Sequence, residues 1–231
     1  MQMTLTRIQK ATLLFGLLTA IELISLQFGF TLLHALAKPL LIPVLIGMLY
    51  FSGIAGTKRK WILIGLFFSW LGDIFLLLDS KGTIFFIAGL VSFLITHIFY
   101  ILYFLSIDNS APSLLKKQPL LIVLTLCYGS ALVVLLFPYL GELKIPVIVY
   151  ATVICTMLLS SLHIYYKTEK PANLFFFLGA ALFVISDSLL AVNKFYQPLP
   201  KAGIWIMLSY CAAQYLIVKG TVTSATTDHL K

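Results

Sequence analysis

The chain has 231 residues, 61% of them hydrophobic and only 10% charged, with a mean hydropathy of +1.03. No water-soluble domain of this length can hide so much apolar surface, so the solvent is lipid and soluble enzymes and binding modules are excluded. The formal net charge of +8 does not mark a nucleic-acid binder, because the basic residues are scattered through short polar breaks.

A spanning helix needs about 20 apolar residues. The sequence offers eight such runs, at roughly 8–28, 34–52, 61–78, 83–105, 118–138, 144–166, 173–193 and 201–219. They predict an all-α integral membrane protein of eight transmembrane helices, a single domain over 1–220, followed by a disordered polar tail over 221–231. The first run carries Glu22, is too long for a cleaved leader and lacks a small-residue cleavage site, so it is expected to stay as a span. The second opens on Lys38-Pro39. The third starts with Trp61 directly after Lys60, as an interfacial anchor does, and holds Asp73 within WLGDIFLLLD before ending at Asp79. In the fourth, His97 and Tyr100 lie three apart and share a helix face. Asp187 sits in the seventh, within LFVISDSLLAVNKF, which closes on Asn193 and Lys194. The eighth contains Gln214 in YCAAQYL.

Cys127, Cys155 and Cys211 are odd in number and lie inside spans without metal-ligand spacing. They read as buried, small apolar residues rather than a disulfide framework. His34, His163 and His229 fall near span ends or in the tail, with no specific role expected. An even number of spans puts both termini on one side. That side collects Arg7, Lys10, Lys58, Arg59, Lys60, Lys116, Lys117, Lys167, Lys170, Lys219 and Lys231, against Lys38, Lys81, Lys144, Lys194 and Lys201 opposite. The excess predicts cytoplasmic termini, in the inner membrane if the source is bacterial.

Asp73 and Asp187 are the informative residues. An acid at the centre of a membrane helix costs about 2.5–3.5 kcal/mol, and intramembrane carboxylates mark function by default. Asp73 lies about 18 Å beyond Trp61 and Asp187 about 21 Å beyond Asn173, so both reach a similar depth. A shift of 114 residues lays Asp73 on Asp187, Gly65 on Gly179, Leu76 on Leu190, Gly89 on Gly203 and Tyr100 on Gln214. That register predicts two parallel four-helix repeats, 1–114 and 115–220, with both aspartates facing one central polar cavity. Neither acid has a second carboxylate three or four residues away, which argues against a metal site on one helix. The Ser elbow, H-E-x-x-H, Walker and dinucleotide motifs are absent, and no cofactor is implied.

At Lys38-Pro39, Gly72-Asp73 with Leu76, His97 with Tyr100, GAALFVISDSLLAVNKF (179–195) and YCAAQYLI (210–217), the chain resembles the YhhN-type lysoplasmalogenases, eight-span membrane enzymes. The resemblance covers most of the chain. It implies hydrolysis of the vinyl ether bond of a lysophospholipid, lysoplasmalogen, to a fatty aldehyde and glycerophosphoethanolamine or glycerophosphocholine. A vinyl ether is cleaved by protonation of its β-carbon, followed by addition of water to the oxocarbenium ion. That chemistry asks for one protonated and one ionised carboxyl group, as in glycosidases. Asp73 and Asp187 are the expected catalytic pair, with the donor left open between them and Asp187 preferred. Lys38 and Lys194 are expected to bind the lipid phosphate. His97, Tyr100, Asn193 and Gln214 are expected to hold water or the glycerol hydroxyl.

Two other readings compete. A proton- or cation-coupled transporter also uses repeats and midplane acids, though no Gly/Pro-broken helix accompanies these acids. An intramembrane aspartyl protease also pairs two aspartates, but Asp73 lacks the G-x-G-D context and no P-A-L motif exists. Oligomeric state is not legible.

Overall fold

In hydrocarbon every backbone polar group must be bonded internally, and apolar runs of this length meet that demand as helices. The computed structural model describes residues 2–107 and 109–228. Its long helices are α1 (Gln2–Phe28), α2 (Thr31–Tyr50), α3 (Gly56–Leu77), α4 (Thr83–Leu105), α5 (Leu120–Leu136), α6 (Lys144–His163), α7 (Ala172–Ala191) and α8 (Ala202–Asp228). All eight contribute a segment long and apolar enough to cross a membrane. The protein is an integral, multi-pass, all-α membrane protein.

The predicted spans match to within a few residues, with two differences at ends. A π-turn over Val192–Tyr196 prolongs α7, so Asn193 and Lys194 sit on a widened final turn. The tail expected from Thr221 is helical as far as Asp228. Packing explains this: Thr221 and Val222 are buried, and the Thr221 hydroxyl donates to the Ile217 carbonyl at 2.9 Å. The rest of the expected tail, His229, Leu230 and Lys231, lies outside the described residues.

Six helices form a closed ring in the order α2, α3, α4, α6, α7, α8, with α8 returning to α2. The remaining two lie outside it, α1 against α2 and α5 against α6. This pattern maps onto itself when α1–α4 are exchanged for α5–α8. The tightest pairs, α3–α4 and α7–α8, use small residues at corresponding positions. A Cβ at Gly65 would lie 2.6 Å from Tyr100, and one at Gly179 would lie 3.0 Å from the Ala213 carbonyl. Only glycine allows either approach.

The correspondence fails at one place. Helix α1 also packs on α8, where Phe15 stacks on Tyr215 at 5.8 Å, whereas α5 makes no comparable packing on α4. Helix α5 has just three buried residues, Thr125, Gly129 and Leu136. Cys127 accordingly lies exposed on α5 rather than buried as expected.

Helix α2 passes through Pro39 and Pro43. Pro43 has no N–H to give to the Pro39 carbonyl four residues earlier. The Trp70 indole of α3 takes that place, donating to the Pro39 oxygen at 2.9 Å. The bond joins α2 to α3 one turn before Asp73.

Candidate active site

Asp73 is almost wholly buried among α2, α3 and α8, with 1% of its surface exposed. Tyr210 donates to its Oδ2 at 2.6 Å, and Lys38 Nζ lies 3.8 Å from Oδ1. Behind Tyr210 a chain of side chains continues. The Ser69 hydroxyl meets Tyr210 at 2.8 Å, Gln214 Nε2 donates to Ser69 at 2.6 Å, and Tyr100 donates to Gln214 Oε1 at 2.6 Å. Since Tyr210 spends its hydrogen on Asp73, Ser69 is the donor to Tyr210. Tyr100 and Gln214, equivalent in the 114-residue register, bond each other.

One turn before Lys38 on α2, His34 Nδ1 meets fully buried Glu22 of α1 at 2.7 Å. The sequence reading assigned His34 no role; the structure makes it the partner of a buried acid. Lys38 is not the surface lysine expected either. It lies two turns into α2, buried at 7% exposure, with its ammonium directed at Asp73. A buried acid without a cation nearby is costly in hydrocarbon, which is the physical reason for the pairing.

Asp187 has different surroundings. The Tyr150 hydroxyl of α6 donates to its Oδ2. His97 Nε2 of α4 lies 3.6 Å from the same oxygen. The His97 ring is fully buried, edge-on to Phe183 at 4.8 Å and to Tyr150 at 5.6 Å. Asp187 also lines a cavity of about 250 Å³ between α4, α5, α6 and α7. The walls are apolar, with Leu90, Leu94, Leu132, Ile154 and Val184 among them. The hydroxyl-bearing residues there are Tyr150, Tyr128 and Ser188. The cavity occupies the half of the bundle away from the termini, where α5 fails to close on α4.

The two aspartates therefore do not share one cavity. Asp73 does not line the cavity at Asp187. Phe183 stands between their surroundings, touching His97 on one side and the Tyr210 ring on the other at 5.6 Å. The surroundings of the two acids differ along the expected 114-residue register. Glu22 corresponds in that register to Leu136, which lines the cavity, and buried Lys38 to Thr152, which is exposed and lies outside it.

Of the other expected site residues, His97 is at Asp187, while Tyr100 and Gln214 belong to the network behind Asp73. Asn193 accepts from the Leu199 amide at 2.9 Å and holds the loop after the π-turn. Lys194 pairs with Asp79 at 2.8 Å and lies 4.3 Å from the ring centre of Phe86, a residue of the cavity lining. Tyr150, Tyr210 and Ser69 escaped the sequence reading. Tyr150 is one of 11 tyrosines, and nothing in its local sequence separates it from tyrosines that merely pack, whereas Tyr210 opens the YCAAQYLI stretch (210–217) that carries the resemblance.

The YhhN family model matches residues 33–221. The chain is 34% identical over 176 residues to the human protein named Lysoplasmalogenase TMEM86A, covering 74% of this chain and 69% of that one. It is 33% identical over 168 residues to its bovine counterpart, 71% of this chain and 65% of that protein's length. A Mycobacterium bovis protein named Lysoplasmalogenase is 31% identical over 194 residues, 81% of this chain and 71% of that protein. No solved structure matches.

Proposed function

Because the chain belongs to the YhhN family, we propose that it is a lysoplasmalogenase. It hydrolyses the vinyl ether of lysoplasmalogen to a fatty aldehyde and glycerophosphoethanolamine or glycerophosphocholine. The names of its relatives support this substrate. The observation that carries the mechanism is the Asp187 carboxyl group opening onto an apolar cavity inside the membrane.

Asp187, protonated, gives its proton to the β-carbon of the vinyl ether. The π electrons form the new C–H bond and leave an oxocarbenium ion, which the new carboxylate stabilises. Water adds to the cationic carbon and returns a proton to Asp187. The hemiacetal then collapses: its hydroxyl loses a proton, the glycerol oxygen gains one, and the C–O bond breaks to release aldehyde and alcohol. The carboxyl group is regenerated with atoms balanced. Tyr150 and His97 orient Asp187. Asp73, away from the cavity, is a positioning residue on this reading: with Lys38 and Tyr210 it fixes the wall behind Phe183. This replaces the acid–base pair expected from sequence with one acting carboxyl group and one supporting it.

The phosphate sits at the cavity rim and competes with Asp79 for Lys194, and the alkenyl chain runs along the apolar walls. The positive-inside excess puts the termini in the cytoplasm and opens the cavity toward the other leaflet. The test is aldehyde release from lysoplasmalogen by detergent-purified protein beside Asp187→Asn. Release by wild type alone, with both proteins unfolding at the same temperature, is the expected result. No release from folded wild type across both head groups overturns the proposal.

A further inference from the structure

Tyr128 and Ser188 form a hydroxyl pair in the cavity, and the mechanism above leaves it unused. The Tyr128 hydroxyl of α5 donates to Ser188 Oγ of α7 at 2.8 Å, and Ser188 in turn donates to the Val184 carbonyl at 2.7 Å. Both residues line the cavity, Ser188 directly follows Asp187, and Tyr128 is 45% exposed. Each hydrogen of the pair is thus committed, while the Tyr128 oxygen keeps its acceptor lone pairs. The pair is a hydrogen-bond acceptor beside the acid, within walls otherwise almost free of polar groups.

In a vinyl ether lysophospholipid, the one hydrogen-bond donor near the reacting bond is the free hydroxyl on the middle glycerol carbon. We propose that Tyr128, held by Ser188, receives that hydroxyl and so selects substrates whose middle carbon is unacylated. This inference rests on the lysoplasmalogenase reading. An acylated oxygen has no proton to give and brings a second chain to the same point. A 2-deoxy analogue has neither proton nor oxygen. Sites that bond a substrate hydroxyl discriminate strongly against analogues lacking it.

The test compares lysoplasmalogen with its 2-deoxy analogue in wild type, Tyr128→Phe and Ser188→Ala. Wild type should lose about tenfold or more in kcat/KM on the deoxy compound. In Tyr128→Phe that penalty should shrink to about twofold, with Ser188→Ala intermediate, because the substrate group and its partner act as one pair. A variant that merely loosens α5 would slow both substrates equally and leave the penalty intact, which overturns the inference. A wild type that turns over both compounds equally also overturns it. Wild type inactive on lysoplasmalogen removes the parent reading and this inference together, whereas active wild type without the coupling removes only the inference.

Discussion

His97 Nε2 lies 3.6 Å from Asp187 Oδ2, and neither ring nitrogen of His97 has a hydrogen-bond partner among the described residues. A fully buried imidazole without a bond is costly unless it works with its neighbour. Replacing His97 with Ala should lower kcat by about 10²-fold, in the range typical of a lost proton-handling or orienting group. The Tyr150→Phe variant should lose about tenfold to 10²-fold. Single-turnover aldehyde release separates this chemical loss from slower binding. Unchanged single-turnover rates in both variants would mean that Asp187 acts without them.

Lys38 and Asp73 make the buried ion pair of the first half. Leaving one partner of such a pair uncompensated typically costs about 3–5 kcal/mol. Lys38→Met alone should therefore lower the unfolding temperature in detergent steeply. The double variant Lys38→Met/Asp73→Asn should recover most of that loss, since neither charge remains. Asp73→Asn should keep a measurable fraction of activity where Asp187→Asn keeps none. Equal loss in the two would return Asp73 to the reacting centre.

Gly179 faces backbone that cannot retreat: a Cβ there would lie 3.0 Å from the Ala213 carbonyl and 3.1 Å from the Ile217 amide nitrogen. Gly179→Ala must push α7 from α8, and overpacking of this kind costs about 1–3 kcal/mol. Thermal unfolding should report it. At Gly129 the obstacle is one side-chain atom, Cys155 Sγ at 2.7 Å. Gly129→Ala should cost less, and less still when combined with Cys155→Ala.

Lys194 is half-exposed and bonded to Asp79. An exposed ion pair contributes about 0–1 kcal/mol, so Lys194→Met should leave thermal stability nearly unchanged. If the ammonium meets the lipid phosphate, the same variant should raise KM about three- to tenfold with kcat kept. Asp79→Asn, which frees the lysine, should lower KM. Steady-state kinetics at low and high salt measure both, and the KM difference should shrink as salt rises.

How much of this was legible in the sequence depends on which physical force speaks at each residue. Transfer of apolar side chains into lipid acts one residue at a time, so the eight spans and their order follow from the hydropathy of the sequence alone. The cost of a charge in hydrocarbon is equally local, and it singles out Asp73 and Asp187 without any structure.

The faces of the helices were not legible. A soluble helix announces its buried side by a polar opposite side, whereas a membrane helix is apolar towards both lipid and core. Tyr150 and Ser69 therefore carry no mark in the sequence that separates them from residues facing lipid. Only the packing of six helices into a ring, with α5 left off α4, decided that Asp73 would be sealed against Lys38 and Tyr210. The same packing opened a cavity at Asp187. Two chemically equal acids thus differ through neighbours that lie far away in the chain.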